Sequence, residues 1–147
     1  MRTVVQRVAR ASVSVDGETI GRIDHGLCAL VAVTHHDTPA QAIKLGDKLS
    51  SLRIFADEQG RANRSVLDVG GGVLVLSQFT LYADTTRGNR PGYTRAADPV
   101  VAAPLIEQVA SRVARAGVPV ATGRFGADMQ VDLVNDGPFT VIIEVDP

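Results

Sequence analysis

Residues 70–83 constrain the fold more than any other stretch: Gly70-Gly71-Gly72-Val73-Leu74-Val75-Leu76-Ser77-Gln78-Phe79-Thr80-Leu81-Tyr82-Ala83. Four consecutive branched apolar residues follow a glycine triplet. This pattern predicts a short strand at 73–76 buried on both faces. The chain then turns polar in line with that strand, at Ser77, Gln78 and Thr80. Polar groups that leave water must find partners. Such a strand end either caps neighbouring backbone or offers hydroxyls and free N–H groups to a ligand.

The rest of the chain is read around that strand. Loose alternation over residues 3–15 predicts one long strand, or two joined by a bulge. Asp16-Gly17 is a hairpin signal, residues 18–23 are the return strand, and the apolar run 27–33 is a central strand. Thr38-Pro39 pairs a hydroxyl N-cap with proline at the first helical position. Ala42, Leu45, Leu49 and Leu52 then supply one buried helical face. Residues 53–55 read as a short strand, 57–60 as a turn, and 63–69 as irregular. Asp98-Pro99 opens a second helix with Val101, Leu105, Val109 and Val113 on one face and Gly117 as its stop. Pro104 either kinks that helix or moves its start. Strands are expected at 118–121, 130–134 and 140–145. The order β-β-β-α-β-β-α-β-β-β describes a mixed α/β fold of two sheets with two helices on one side, within a single domain, 1–147.

Bulk properties exclude some function classes. The chain has 147 residues and a net charge of −1. That charge argues against a protein that wraps long nucleic acid, where a basic excess is expected, and leaves open the reading of an RNA end. No apolar run approaches the ~20 residues of a membrane helix, and polar residues interrupt the N-terminus at once, so a cytoplasmic protein is expected. The single Cys28 lies in an apolar run and reads as a small buried hydrophobe. The residues 84–95 are basic and aperiodic, with Arg87, Arg90 and Arg95. They read as a solvated loop or as a loop that contacts phosphates.

The chemistry is narrowed further. His25, His35 and His36 lack companion ligands at zinc spacing, so no metal is expected. The glycine triplet does not open a helix, which argues against a phosphate cradle, and no dinucleotide fingerprint is present, so no cofactor is expected. Ser77 is a tempting nucleophile, yet it lacks a Gly-x-Ser-x-Gly elbow and an evident base.

Five motifs in order carry a family resemblance: Gln6-Arg7-Val8, Leu52-Arg53-Ile54-Phe55, Ser77-Gln78-Phe79-Thr80-Leu81, residues 122–129 (Thr-Gly-Arg-Phe-Gly-Ala-Asp-Met) and Asn135-Asp136-Gly137-Pro138. Together they resemble the D-aminoacyl-tRNA deacylases, also called D-tyrosyl-tRNA deacylases, from end to end. The resemblance implies the same two-sheet, barrel-like architecture, a homodimer, and an RNA-assisted hydrolysis of the ester at the 3′ end of D-aminoacyl-tRNA. It places catalysis at Ser77, Gln78, Phe79 and Thr80, and chiral selection at Asn135, Gly137 and Pro138. An X-Pro bond is trans by default. The resemblance instead implies a cis Gly137-Pro138 bond, inserted into the pocket of the neighbouring subunit.

An aminoacyl ester is activated and lies beside a ribose hydroxyl, which lessens the need for a protein base. Backbone N–H groups at Phe79 and Thr80 are the candidate oxyanion donors, with the Thr80 side chain an orienter at most. Arg7 is read as a brace for the Gly-Pro loop or as a strand-surface arginine. Phe125 and Met129 are read as an adenine pocket or as core. Phe79 is expected in the core, and Gly92-Tyr93 departs from the Ser-Phe that many relatives carry. The alternative is a non-catalytic dimer of the same fold that binds RNA ends or nucleotides. A Ser77 esterase is a third possibility.

Overall fold

The computed structural model describes residues 1–146. Its chain order is β1 (Arg2–Val15), β2 (Glu18–Ile23), β3 (Gly26–Ala32), α1 (Pro39–Ser51), β4 (Phe55–Ala56), β5 (Ala62–Arg64), β6 (Gly72–Ser77), α2 (Pro99–Arg115), β7 (Val120–Thr122) and β8 (Gln130–Glu144). The large sheet runs β2-β1-β3-β6-β7, with β8 paired to β1, while β4 and β5 form a separate small sheet. β1 is antiparallel to β2, β3 and β8. β6 is parallel to both β3 and β7. β2 returns close to β7, where Gly21 faces the Thr122 carbonyl, and the sheet curls into a nearly closed barrel. The class is the expected one: mixed α/β, two sheets and two helices.

β6 shows why. Val73 and Val75 face the helices and pack with Leu45, Leu49, Val109 and Val113. Leu74 and Leu76 face the other way, into a second cluster with Val8, Val13, Ile23 and Cys28 inside the curled sheet. A strand with core on both faces has no room for the usual apolar–polar alternation. Local signals also hold. Asp16 and Gly17 both adopt positive φ, 51° and 79°, as a two-residue hairpin turn requires. Thr38 forms a full capping box with Gln41.

Five details differ from expectation or narrow it. The strand read at 53–55 is shifted to β4, because the Ile54 carbonyl accepts from the Arg7 guanidinium at 2.6 Å and leaves the ladder. Residues 62–64, within a stretch read as irregular from 63, pair with β4 as β5. Of the two outcomes read for Pro104, the delayed start is excluded, since α2 begins at Pro99 and runs through Pro104. The N–H it lacks would have bonded Val100, which is 82% exposed, so water can satisfy that carbonyl. The buried face of α2 keeps Leu105, Val109 and Val113 as expected but extends to Ala102, Ile106 and Ala110, and Val101 is exposed. Finally, the two C-terminal strands are one, β8. Its pairing with β1 runs Gln6 to Thr140 and then Val8 to Asn135, so residues 136–139 bulge out opposite Arg7 alone. No helix among the described residues is long and apolar enough to cross a membrane.

Candidate functional site

The end of β6 opens into a cavity of about 530 Å³. Ser77, Gln78 and Phe79 form one wall, the end of β3 (Val31–Val33) and the start of α2 (Pro99, Ala102, Ile106) form others, and Phe125, Ala127 and Met129 close it. Gln78 N–H donates to the Val31 carbonyl at 2.8 Å, which ties the segment to β3. The chain then tightens into a 3₁₀ turn, Phe79–Tyr82. The N–H groups of Leu81 and Ala83 bond back to Gln78 and Thr80. Among the described residues, no acceptor faces the N–H groups of Phe79 or Thr80, as expected for the first residues of a helical turn.

Thr80 does not line the cavity. Gln78 Nε2 donates to Thr80 Oγ1 at 2.5 Å, so the two side chains hold each other. Phe79 is not core, contrary to expectation. It is 53% exposed and meets Tyr93 edge to face, with ring centroids 5.1 Å apart. Its ring leaves the core because the chain turns immediately after the strand. Tyr93 also lines the cavity, although its departure from the usual residue argues against a role. The one aromatic in a basic loop was the available signal.

The electrostatics of the cavity are simple. Among its lining residues only Tyr93 can titrate; no histidine, carboxylate, lysine or arginine reaches it. Within this cavity Ser77 therefore has no base beside it, and the groups available there for chemistry are main-chain dipoles, hydroxyls and the Gln78 amide. Cys28 is buried behind this wall, and burial pushes its thiol up to about 11. His25, His35 and His36 are all exposed, with His35 Nε2 2.7 Å from the Thr94 carbonyl. No cluster of metal-ligating side chains exists among the described residues.

The second motif is built differently. The Gly137-Pro138 bond is cis. Gly137 has φ +140°, and an added Cβ would lie 2.9 Å from Phe139 N and 3.1 Å from Arg7 Nη2, so glycine is required there. Asn135 closes the bulge: its Oδ1 accepts from Phe139 N–H at 2.9 Å, and its Nδ2 donates to Thr140 Oγ1 at 3.0 Å and to Gln6 Oε1. Arg7 braces it from behind. Its Nε donates to the Asp136 carbonyl at 3.0 Å, and its guanidinium lies 4.7 Å from the Phe139 ring centroid. Arg7 is thus tied to the loop and to Ile54, and is only 17% exposed. Asn135, Gly137, Pro138 and Arg7 all lie outside the cavity lining. The structure thus gathers Ser77, Gln78, Phe79, Phe125 and Met129 at one place and Arg7, Asn135, Gly137 and Pro138 at another.

A nearly closed mixed sheet, an uncharged cavity at a strand end and a cis Gly-Pro bulge define a class of mixed α/β proteins with a barrel-like sheet. Residues 4–144 match the D-Tyr-tRNA(Tyr) deacylase family. The D-aminoacyl-tRNA deacylase of Roseiflexus castenholzii is 56% identical over 98% of this chain and 92% of its own. The protein of that name from Cereibacter sphaeroides is 54% identical over 98% and 99%. The solved structure of a c-Myc DNA Unwinding Element Binding Protein superposes with a TM-score of 0.92 at 36% identity, over all of both chains. A probable eukaryotic D-amino acid tRNA deacylase shares the fold, with a TM-score of 0.86 at 16% identity over 98% of each chain. The chain belongs to the D-Tyr-tRNA(Tyr) deacylase family.

Proposed function

We propose that this protein hydrolyses the ester of D-aminoacyl-tRNA in the cytoplasm, releasing D-amino acid and tRNA while sparing L-aminoacyl esters. The observation that carries the reading is the cavity at the end of β6, open to a ligand and lined by a single titratable residue, Tyr93. A cavity whose lining holds no carboxylate, histidine or lysine suits a substrate that is already activated and carries its own hydroxyl. The terminal adenosine occupies the apolar cavity against Phe125 and Met129. Its 2′-OH helps position water, which attacks the ester carbonyl. The N–H groups of Phe79 and Thr80 receive the negative charge that develops on the carbonyl oxygen. The tetrahedral intermediate collapses with the ribose oxygen as leaving group, and that oxygen takes up a proton.

Chiral selection is assigned to the Gly137-Pro138 bulge of a second copy, in a homodimer. Its fixed carbonyls accept from the substrate ammonium. With ammonium and ester both held, D and L forms differ only by exchanging hydrogen and side chain, and the L side chain collides. The D side chain points outward, so many D-amino acids should serve, and glycyl-tRNA should be hydrolysed to some degree. The exposed Arg87 and Arg90 are assigned to contacts with backbone phosphates.

Single-turnover hydrolysis of matched D-tyrosyl-tRNA and L-tyrosyl-tRNA tests the reading. Rapid cleavage of the D ester with the L ester untouched is expected. Equal cleavage of both would remove chiral selection. Cleavage of neither would favour the binding-protein alternative, to which the name of the 36% identical neighbour lends some weight and the net charge of −1 little.

A further inference from the structure

A second cavity of about 470 Å³ lies between α2 and β7 and adjoins the first. The two share Ser77, Ile106 and Phe125 as lining residues. Phe125, 38% exposed, therefore stands between two adjacent spaces. An aromatic ring in that position suits two successive bases of a single strand, one against each face. The second space also differs chemically from the first. It adds Glu107 and Ser111, one turn apart on the same face of α2, and Arg124, next to Phe125. Among the described residues, neither Glu107 nor Arg124 has an ion-pair partner, whereas Asp47 and Arg112, on the same helix pair, bond each other at 2.6 Å.

We infer that this cavity takes the penultimate nucleotide of the tRNA 3′ end, a cytidine, and reads it as cytidine. The inference rests on the deacylase reading above. Cytosine presents an amine donor at N4 beside an acceptor at N3. A carboxylate can only accept, and it meets the N4 amine. A serine hydroxyl can donate, and it meets N3. Uracil reverses both positions, with an acceptor at O4 and a donor at N3, so Glu107 would face an oxygen. Arg124 is available to the phosphate that joins the two nucleotides, a contact that holds position without reading sequence. The Phe125 ring shared by the two cavities favours a nucleotide over the amino-acid side chain as occupant, since the outward D side chain needs no walled space.

The test is single-turnover hydrolysis, below saturation, of D-tyrosyl minihelix RNAs whose 3′ ends read CCA or CUA. The wild-type protein should cleave the CCA substrate about tenfold faster, the size of one well-placed base contact, with the difference in KM rather than in the saturated rate. Glu107→Ala should bring the two substrates to equal rates. Arg124→Ala should weaken both alike, keep the preference, and flatten the dependence on salt. Glu107 and Arg124 are exposed, so both variants should fold, and thermal melting checks this. Equal cleavage of CCA and CUA by the wild type would overturn the inference and leave the deacylase reading intact. So would a preference that survives in Glu107→Ala. If Glu107→Ala instead altered the choice between D-tyrosyl and D-alanyl esters, the cavity would hold the amino-acid side chain. Cleavage of neither RNA would remove the deacylase reading and this inference with it.

Discussion

The two signature regions solve the same problem, holding a few polar groups still, by opposite means. At the end of β6 the rigidity comes from the core. Val73 to Leu76 are clamped on both faces, and the polar segment continues a strand that cannot move. At residues 136–138 the tip is exposed, and only Phe139 at its base packs against the core. The bulge protrudes from β8 and is wired from behind by Arg7 and Asn135. A wall and a tip need different scaffolds, and within one chain the tip does not line the cavity that the wall encloses. That separation supports a site completed by a second copy.

The tip is the more sensitive of the two regions. Gly137→Ala places a Cβ against Phe139 N and Arg7 and should lower kcat/KM for D-tyrosyl-tRNA about a hundredfold, the scale of a misplaced contact group. The strained backbone and the clash should also lower the melting temperature, with the protein still folded because the tip is exposed. A large loss of stability with intact activity would reverse the assignment.

The wall is tested through the core behind it. Cys28 lies buried beside Leu74 in the sheet register, and burial raises its thiol from 9.0 to about 11. A folded-state value above the unfolded one means that this contribution is complete below pH 9 and is lost as pH rises through 11. The loss amounts to about 2–3 kcal/mol. Urea unfolding at pH 8 and pH 11 should show it, and Cys28→Ala should remove that part of the pH dependence.

Smaller effects are expected in the cavity. Phe125→Ala should raise KM about tenfold through lost base stacking, with the saturated rate changed less. Ser77→Ala and Thr80→Ala should each stay within about fivefold of wild type, the scale of one net hydrogen bond. A collapse of either in single-turnover assays would return that side chain to the centre of the chemistry.

What was legible in the sequence was local. The turn at Asp16-Gly17, the capping box of Thr38 and the doubly buried Val73 to Leu76 follow from neighbouring residues alone. What was not legible depended on distant ones. Whether Phe79 is core or cavity wall depends on the 3₁₀ turn that follows and on Tyr93, fourteen positions on. The continuity of β8 depends on β1 pairing across the bulge. The displaced β4 depends on Arg7 taking the Ile54 carbonyl, and the survival of α2 through Pro104 depends on water reaching Val100. At the site, the cis Gly137-Pro138 bond came from family resemblance, since residue type alone favours trans.

The most direct test of the central claim, that wall and tip belong to different subunits of one site, is a mixed dimer. Ala127→Trp fills the cavity and leaves the tip intact; Gly137→Ala does the reverse. Each homodimer should be nearly inactive toward D-tyrosyl-tRNA. Co-expressed heterodimers should hold one sound site of two and recover up to about half of the wild-type rate. Recovery no greater than the sum of the separate variants would contradict the claim and place the whole site within one chain.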